Sequence, residues 1–154
     1  AIVLSAPSLI AAGPPAPAPA LADWLGASIW LVGLVGEAVA DAQLQSFKRR
    51  PDAKGRVCEV GLWRYSRHPN YFFEWLMWVG YAAVASGAAM GWFAWTAPAL
   101  ILLFVLKVTG IPPTEARALR SRPEAYRRYQ QTTSAFIPWF RRSPPRALDR
   151  EESP

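Results

Sequence analysis

Apolar and polar positions in this chain fall into long blocks. Ala1–Gly13 is apolar but too short for a hydrocarbon core of about 30 Å, which takes about 20 residues. It is expected to be the end of an upstream membrane segment. The proline-rich run Pro-Pro-Ala-Pro-Ala-Pro over 14–19 predicts a stiff, extended linker, so that 1–20 leads into the main domain. Trp24–Ala40 is predicted to span the membrane, with Asp23 as a cap. Gly26, Gly33 and Gly36 on this span would let another helix approach closely. The helix continues in polar character to Lys48, and Glu37, Asp41, Leu44, Gln45 and Lys48 share one face. A polar loop covers 49–60, with a turn at 51–55. A second apolar helix, Asn70–Ala85, opens at Pro69, which suits a first helical turn. The short 86–91 connection makes it a hairpin with a third span, Trp92–Val108. Thr114–Gln130 is helix-prone and basic, with Thr114 placed to cap it. Ser134–Phe140 forms an apolar clasp, and 141–154 is expected to be a disordered tail. The predicted fold is all-α: a polytopic membrane helical bundle at 21–140, with cytoplasmic loops and a basic C-terminal helix.

Charge gives this bundle an orientation. Lys and Arg number 17 against 11 Asp and Glu, a net charge of +6. None precedes Lys48; they cluster in 48–67 and 117–150, with Lys107 alone between. Basic blocks that flank apolar spans mark cytoplasmic loops, and this pattern argues against a nucleic-acid surface. It predicts a multi-pass protein of a bacterial cytoplasmic membrane or the endoplasmic reticulum. The basic tail would also attract lipid headgroups. Cys58 is the single cysteine, so no internal disulfide forms. One histidine with scattered carboxylates gives no metal-ligand spacing. No phosphate-binding glycine fingerprint follows a strand pattern.

The chemistry concentrates in 61–74, Gly-Leu-Trp-Arg-Tyr-Ser-Arg-His-Pro-Asn-Tyr-Phe-Phe-Glu. Polar groups at a membrane helix mouth are costly and point to a ligand. Lys48, Arg64, Arg67 and the tail arginines supply cations for phosphates. Asn70 offers an amide, Asp41 and Glu74 offer acceptors, and Tyr65 and Tyr71 offer stacking faces. The plainer alternatives are a Glu74–Arg67 pair or helix cap, a structural hydrogen-bonding His68, and a Lys107 that snorkels to the interface.

The 61–72 stretch followed by Glu74 resembles the C-terminal domain of the steroid 5-alpha-reductase-like membrane proteins, in their bacterial and fungal branch. So do Ala40–Leu44 with Phe47-Lys48, Thr109–Pro112 with Glu115, and Tyr129 followed by Ser134–Trp139. The resemblance covers about residues 24–140. It implies an integral membrane oxidoreductase that uses NADPH to reduce a carbon–carbon double bond in an apolar, lipid or steroid-like substrate. By motif it assigns cofactor contacts to Asp41, Lys48, Tyr65, Arg67, His68, Asn70 and Glu74, and more loosely to Glu115 and Arg117. It places the substrate-orienting and proton-donating groups on N-terminal helices beyond this chain, so no catalytic residue is assigned here. The family pattern has glycine where this chain has Phe73, which puts close packing there in doubt. Isoprenylcysteine and phospholipid methyltransferases share a similar Arg-His-Pro-x-Tyr stretch, so S-adenosylmethionine is the alternative cofactor. Their pattern adds a glycine soon after the tyrosine and a Glu-Glu pair in the tail, where this chain has Phe73 and the lone Glu115. A third reading is a non-catalytic, lipid-binding homologue.

Overall fold

The computed structural model describes residues 21–143. The expected upstream segment and linker at 1–20, and the tail from 144 onward, lie outside the described residues. Within them the chain forms five α-helices: α1 Leu21–Lys48, α2 Pro69–Ala85, α3 Thr96–Lys107, α4 Ile111–Ser121 and α5 Pro123–Thr132. Single 3-10 turns lie at Pro51–Ala53, Gly61–Arg64 and Gly91–Trp95. Among the described residues extended pairing is limited to one isolated bridge, between Ser66 and Ser134.

The antiparallel α1–α2 pair is the backbone of the fold, and glycine sets its spacing. A Cβ added at Gly80 would lie 2.7 Å from the Trp30 amide nitrogen and 2.8 Å from the Gly26 carbonyl oxygen. One added at Gly33 would lie 2.8 Å from the Phe73 carbonyl. The two backbones therefore touch, as in close helix contacts within membranes. Phe73 strengthens this contact instead of disturbing it. Its ring lies on the bare backbone of Gly36, where any Cβ would overlap it. Phe73→Ala is expected to lower stability by about 1–3 kcal/mol, less than a fully buried Phe would because the ring is half-buried. Thermal unfolding in detergent measures this, and an unchanged midpoint would refute the packing role.

Among the described residues, two helical runs are long and apolar enough to cross a membrane: Leu21–Lys48, and Gly91–Ser121, which joins the Gly91–Trp95 turn to α3 and α4. The sequence predicts three spans. The expected second one, α2, has 17 residues, about 26 Å of helix at 1.5 Å per residue. That is at the short end of the roughly 17–25 residues that cross a bilayer, and α2 lies against α1. Leu31, Val32 and Val35 on α1, and Leu103 and Phe104 on α3, keep large apolar areas exposed, which suits lipid contact. The apolar part of the second run ends at Lys107. Beyond the break at 108–110, α4 carries Glu115, Arg117 and Arg120 and lies outside the span.

The predicted basic helix Thr114–Gln130 is in fact two helices. α4 starts earlier, at Ile111, because Pro112 and Pro113 fit a first turn whose N–H groups need no partner. Thr114 is consequently inside the helix, and its Oγ1 donates to the Gly110 carbonyl (2.8 Å) instead of capping. The break falls at Arg122, whose backbone lies outside the helical region (φ −155°, ψ 66°), as the following Pro123 favours.

Candidate functional site

The site begins where 61–64 docks on the end of α1. Gly61 has φ +54°, and a Cβ there would overlap the Gln43 amide. Gln43 can therefore accept a hydrogen bond from the Leu62 amide (2.8 Å). Trp63 Nε1 donates to the buried Ala40 carbonyl (2.8 Å), and its ring packs with Phe47 and Cys58.

The C-terminal segment then straps this corner down. The Tyr129 hydroxyl reaches the carbonyls of Trp63 and Ser66. The Arg67 amide donates to the Ser134 carbonyl (2.8 Å), and the Trp139 amide to the Tyr65 carbonyl (2.9 Å). Ser66 Oγ donates to the Phe136 carbonyl (2.7 Å). The Phe136 ring is buried against Phe72 and Trp75. Arg141, expected in the disordered tail, pairs with Glu59.

Glu115 is the hub of the corner. Its Oε1 accepts from Arg67 Nε (2.7 Å), from His68 Nε2 (3.3 Å) and from the Tyr126 hydroxyl (3.3 Å). A carboxylate accepts only, so the proton of the His68 contact is on Nε2. Oε2 accepts from Gln130 Nε2 (2.7 Å). Arg67 Nη1 donates further to the carbonyls of Gln130 (3.1 Å) and Thr133 (2.7 Å). Burial alone would raise the Glu115 pKa. Hydrogen bonds from His68, Arg67 and Gln130, with the Arg67 charge, outweigh burial and hold it at about 2. Burial, with the nearby Glu115 carboxylate, pushes the Tyr126 hydroxyl up. Burial likewise pushes the Cys58 thiol up.

Against this clamp lies a cavity of about 700 Å³ between the end of α1, the 50–58 loop and α4. Lys48, Arg50, Lys54, Arg67, Arg117 and Arg122 line it, and no carboxylate does. Asn70 Oδ1 and Arg122 Nε, both on lining residues, are buried without a partner. Buried polar atoms are rarely left so, and such atoms on a cavity wall are disposed to meet a ligand. A second cavity, of about 490 Å³, lies between α2 and α3. Its lining is apolar except for Glu74, Tyr71 and Thr109, and Tyr71 belongs to both cavities. The Tyr71 ring stacks on His68 at 5.4 Å.

A family model described as "Protein of unknown function (DUF1295)" matches residues 1–133. The chain belongs to this steroid 5-alpha-reductase-like family. Over 77 residues, 46% of the chain and 30% of the relative, it is 31% identical to 3-oxo-5-alpha-steroid 4-dehydrogenase 1 of Bos taurus. Over 133 residues, 76% of the chain and 44% of the relative, it is 25% identical to uncharacterized protein C9.08c of Schizosaccharomyces pombe. The chain thus spans less than half the length of these relatives. No solved structure matches it at a significant level.

The residues singled out in the DUF1295 chain's sequence divide into four groups. Lys48, Arg67, His68, Asn70 and Arg117 converge on the large cavity. Glu74 faces the apolar cavity instead; it and Asp41 lie close enough to repel each other and Glu37. Tyr65 is 40% exposed and offers its carbonyl to the strap. Glu115 is the clamp itself, and it, not Glu74, is the partner of Arg67. Gln43, Arg50, Lys54, Tyr126 and Gln130 escape the sequence reading, and Arg122 enters it only as one of the tail arginines. A signal existed for Tyr126 and Gln130, which stand four residues apart on a single helical face. Arg122 had one too, since the residue before a proline leaves the helical path.

Proposed function

We propose that this chain forms the NADPH-holding part of a membrane reductase that acts on a carbon–carbon double bond of an apolar, lipid or steroid-like substrate. The observation that carries this reading is the cation-lined cavity. Five cationic side chains, beside an Arg67 already paired with Glu115, suit a polyanion such as a phosphorylated dinucleotide. They suit poorly the cationic sulfonium of S-adenosylmethionine. The orphaned Asn70 Oδ1 and Arg122 Nε give such a ligand one acceptor and one donor. Lys48, Arg50, Arg117 and Arg122 would hold its phosphates, and Tyr71 and Asn70 its planar end. When bound, NADPH supplies the hydride. The chain's own residues bind and orient: the Glu115 clamp fixes Arg67 and His68, and so fixes the wall that carries Asn70 and Tyr71. The adjoining apolar cavity supports an apolar substrate, as does a relative named for 3-oxo-5-alpha-steroids. Cations gathered on one side of the apolar helices support a cytoplasmic site.

Thermal shift in detergent micelles tests this. NADPH should raise the unfolding midpoint, because a ligand that binds only the folded form stabilises it. Asn70→Ala should shrink that rise, whereas Lys107→Ala, at the end of α3 away from the lining, should leave it intact. A rise with S-adenosylmethionine alone would replace the reductase with a methyltransferase. No response to either ligand would leave a lipid-binding homologue.

A further inference from the structure

The C-terminal strap carries an exposed surface of its own. Ile137, Trp139 and Phe140 are 58%, 65% and 78% exposed, and the Trp139 and Phe140 rings meet edge-on at 6.3 Å. Their backbone is nonetheless fixed on both sides. The Phe136 carbonyl accepts from Ser66 Oγ (2.7 Å). The Trp139 amide donates to the Tyr65 carbonyl (2.9 Å), and the Arg142 amide to the Thr132 carbonyl (2.8 Å). The fold therefore holds three bulky apolar side chains outward. Apolar patches of this kind on a folded surface mark interaction sites.

The height of the patch on the bundle indicates its partner. Trp63 Nε1 reaches the Ala40 carbonyl, so 61–65 lies level with the end of the apolar run of α1, just before Asp41. Trp139, bonded to Tyr65, lies near that level. The Phe136 ring reaches the apolar hairpin, edge-on against Phe72 and Trp75 of α2. The strap thus sits where the apolar helices pass into their polar ends, the level at which tryptophans collect in a bilayer.

Charge distinguishes among lipids. A cavity of about 500 Å³ lies between the strap and the end of α5, where Gln130, Gln131, Thr133 and Ser134 line it with Arg67 and Arg142. No carboxylate lines it. Glu115 holds Arg67, and Glu59 holds the neighbouring Arg141. Arg142 has no ion pair among the described residues. Arg127 and Arg128 stand exposed one turn before Gln131 on α5, whose single acid, Glu124, lies in its first turn. Amides, hydroxyls and an unpaired guanidinium beside an apolar rim match a phosphate ester that carries acyl chains.

We propose that the strap docks on the membrane surface through an anionic phospholipid. The headgroup occupies this cavity on Arg142, and Ile137, Trp139 and Phe140 seat among the glycerol and upper acyl groups.

Quenching of tryptophan fluorescence by brominated phospholipids tests this. The chain is reconstituted in vesicles of equimolar phosphatidylcholine and phosphatidylglycerol, with bromine on the acyl chains of one lipid and then of the other. The Trp139 signal is the difference between wild type and Trp139→Phe. Its preference for phosphatidylglycerol should be about fivefold, the worth of one cation at an anionic surface. Arg142→Ala should remove most of that preference while both lipids still quench. A Trp139 signal that neither lipid quenches would overturn the docking. Equal quenching by the two lipids in wild type would overturn the headgroup site, as would an unchanged preference in Arg142→Ala. A nitroxide on Phe140→Cys, with the native Cys58 buried, gives a second readout that does not need Trp139→Phe. It should collide more with lipid-dissolved oxygen than with a water-soluble nickel chelate, and the reverse order would sink the proposal.

Discussion

Glu115→Ala should cost about 3–5 kcal/mol of stability, the range for removing one partner of a buried ion pair. The carboxylate side chain is 14% exposed and that of Arg67 11% exposed. Removing it strands the Arg67 Nε, His68 Nε2 and Gln130 Nε2 together. The unfolding midpoint in detergent should fall by roughly 10 °C or more, and ligand response at Asn70 should fall with it. Glu115→Gln keeps the shape and should cost less. The pH dependence has a definite sign. A carboxyl with a depressed folded-state pKa contributes stability above its unfolded value, near 4.5, and loses it as pH falls toward about 2. Wild type should therefore lose stability on acidification through that window more steeply than Glu115→Gln. Parallel acid profiles for the two proteins would remove Glu115 from the centre of the corner.

The second large effect is expected at Gly80. Gly80→Val would drive a branched side chain into the Trp30 amide and the Gly26 carbonyl, neither of which can move without parting the helices. The cost should be about 3 kcal/mol, the upper end for overpacking, because backbone and not a flexible side chain stands in the way. Gly87→Val is the control, since the nearest atom to a Cβ there is 4.0 Å away. Urea or thermal unfolding of both variants in the same micelle decides the matter; equal midpoints would contradict backbone contact between α1 and α2.

The helices were legible in the sequence where blocks of apolar residues met a stop signal. Pro69 opened α2 where expected, and the 86–91 connection held. The span expected over α2 rested on apolarity, and its 17 residues lie at the short end for a crossing. The site was legible only in part, for a geometric reason. Residues 61–74 look like one polar cluster in sequence, but the helix that starts at Pro69 carries Glu74 round to the α3 side, away from Arg67. The actual partner of Arg67 is Glu115, 48 positions later, and no local period encodes such a pairing. The Phe73 substitution was visible, yet its partner, the bare Gly36, became evident only once α1 and α2 were in contact. The cations of the loop and Arg122 were visible as charge, but their convergence on one cavity depended on the break before Pro123.

The strap has a bearing on how the protein is made. α1 and α2 can pair as soon as both have left the ribosome, because their contact is made of their own backbones. The wall that carries Asn70 and Tyr71 cannot set then, because it is tied down by Tyr129, Ser134, Phe136 and Trp139. The cavity wall is thus complete only once the strap, which follows α1 and α2 in the chain, is in place. A stop codon shortly after α5 should yield a chain that inserts normally and holds no ligand.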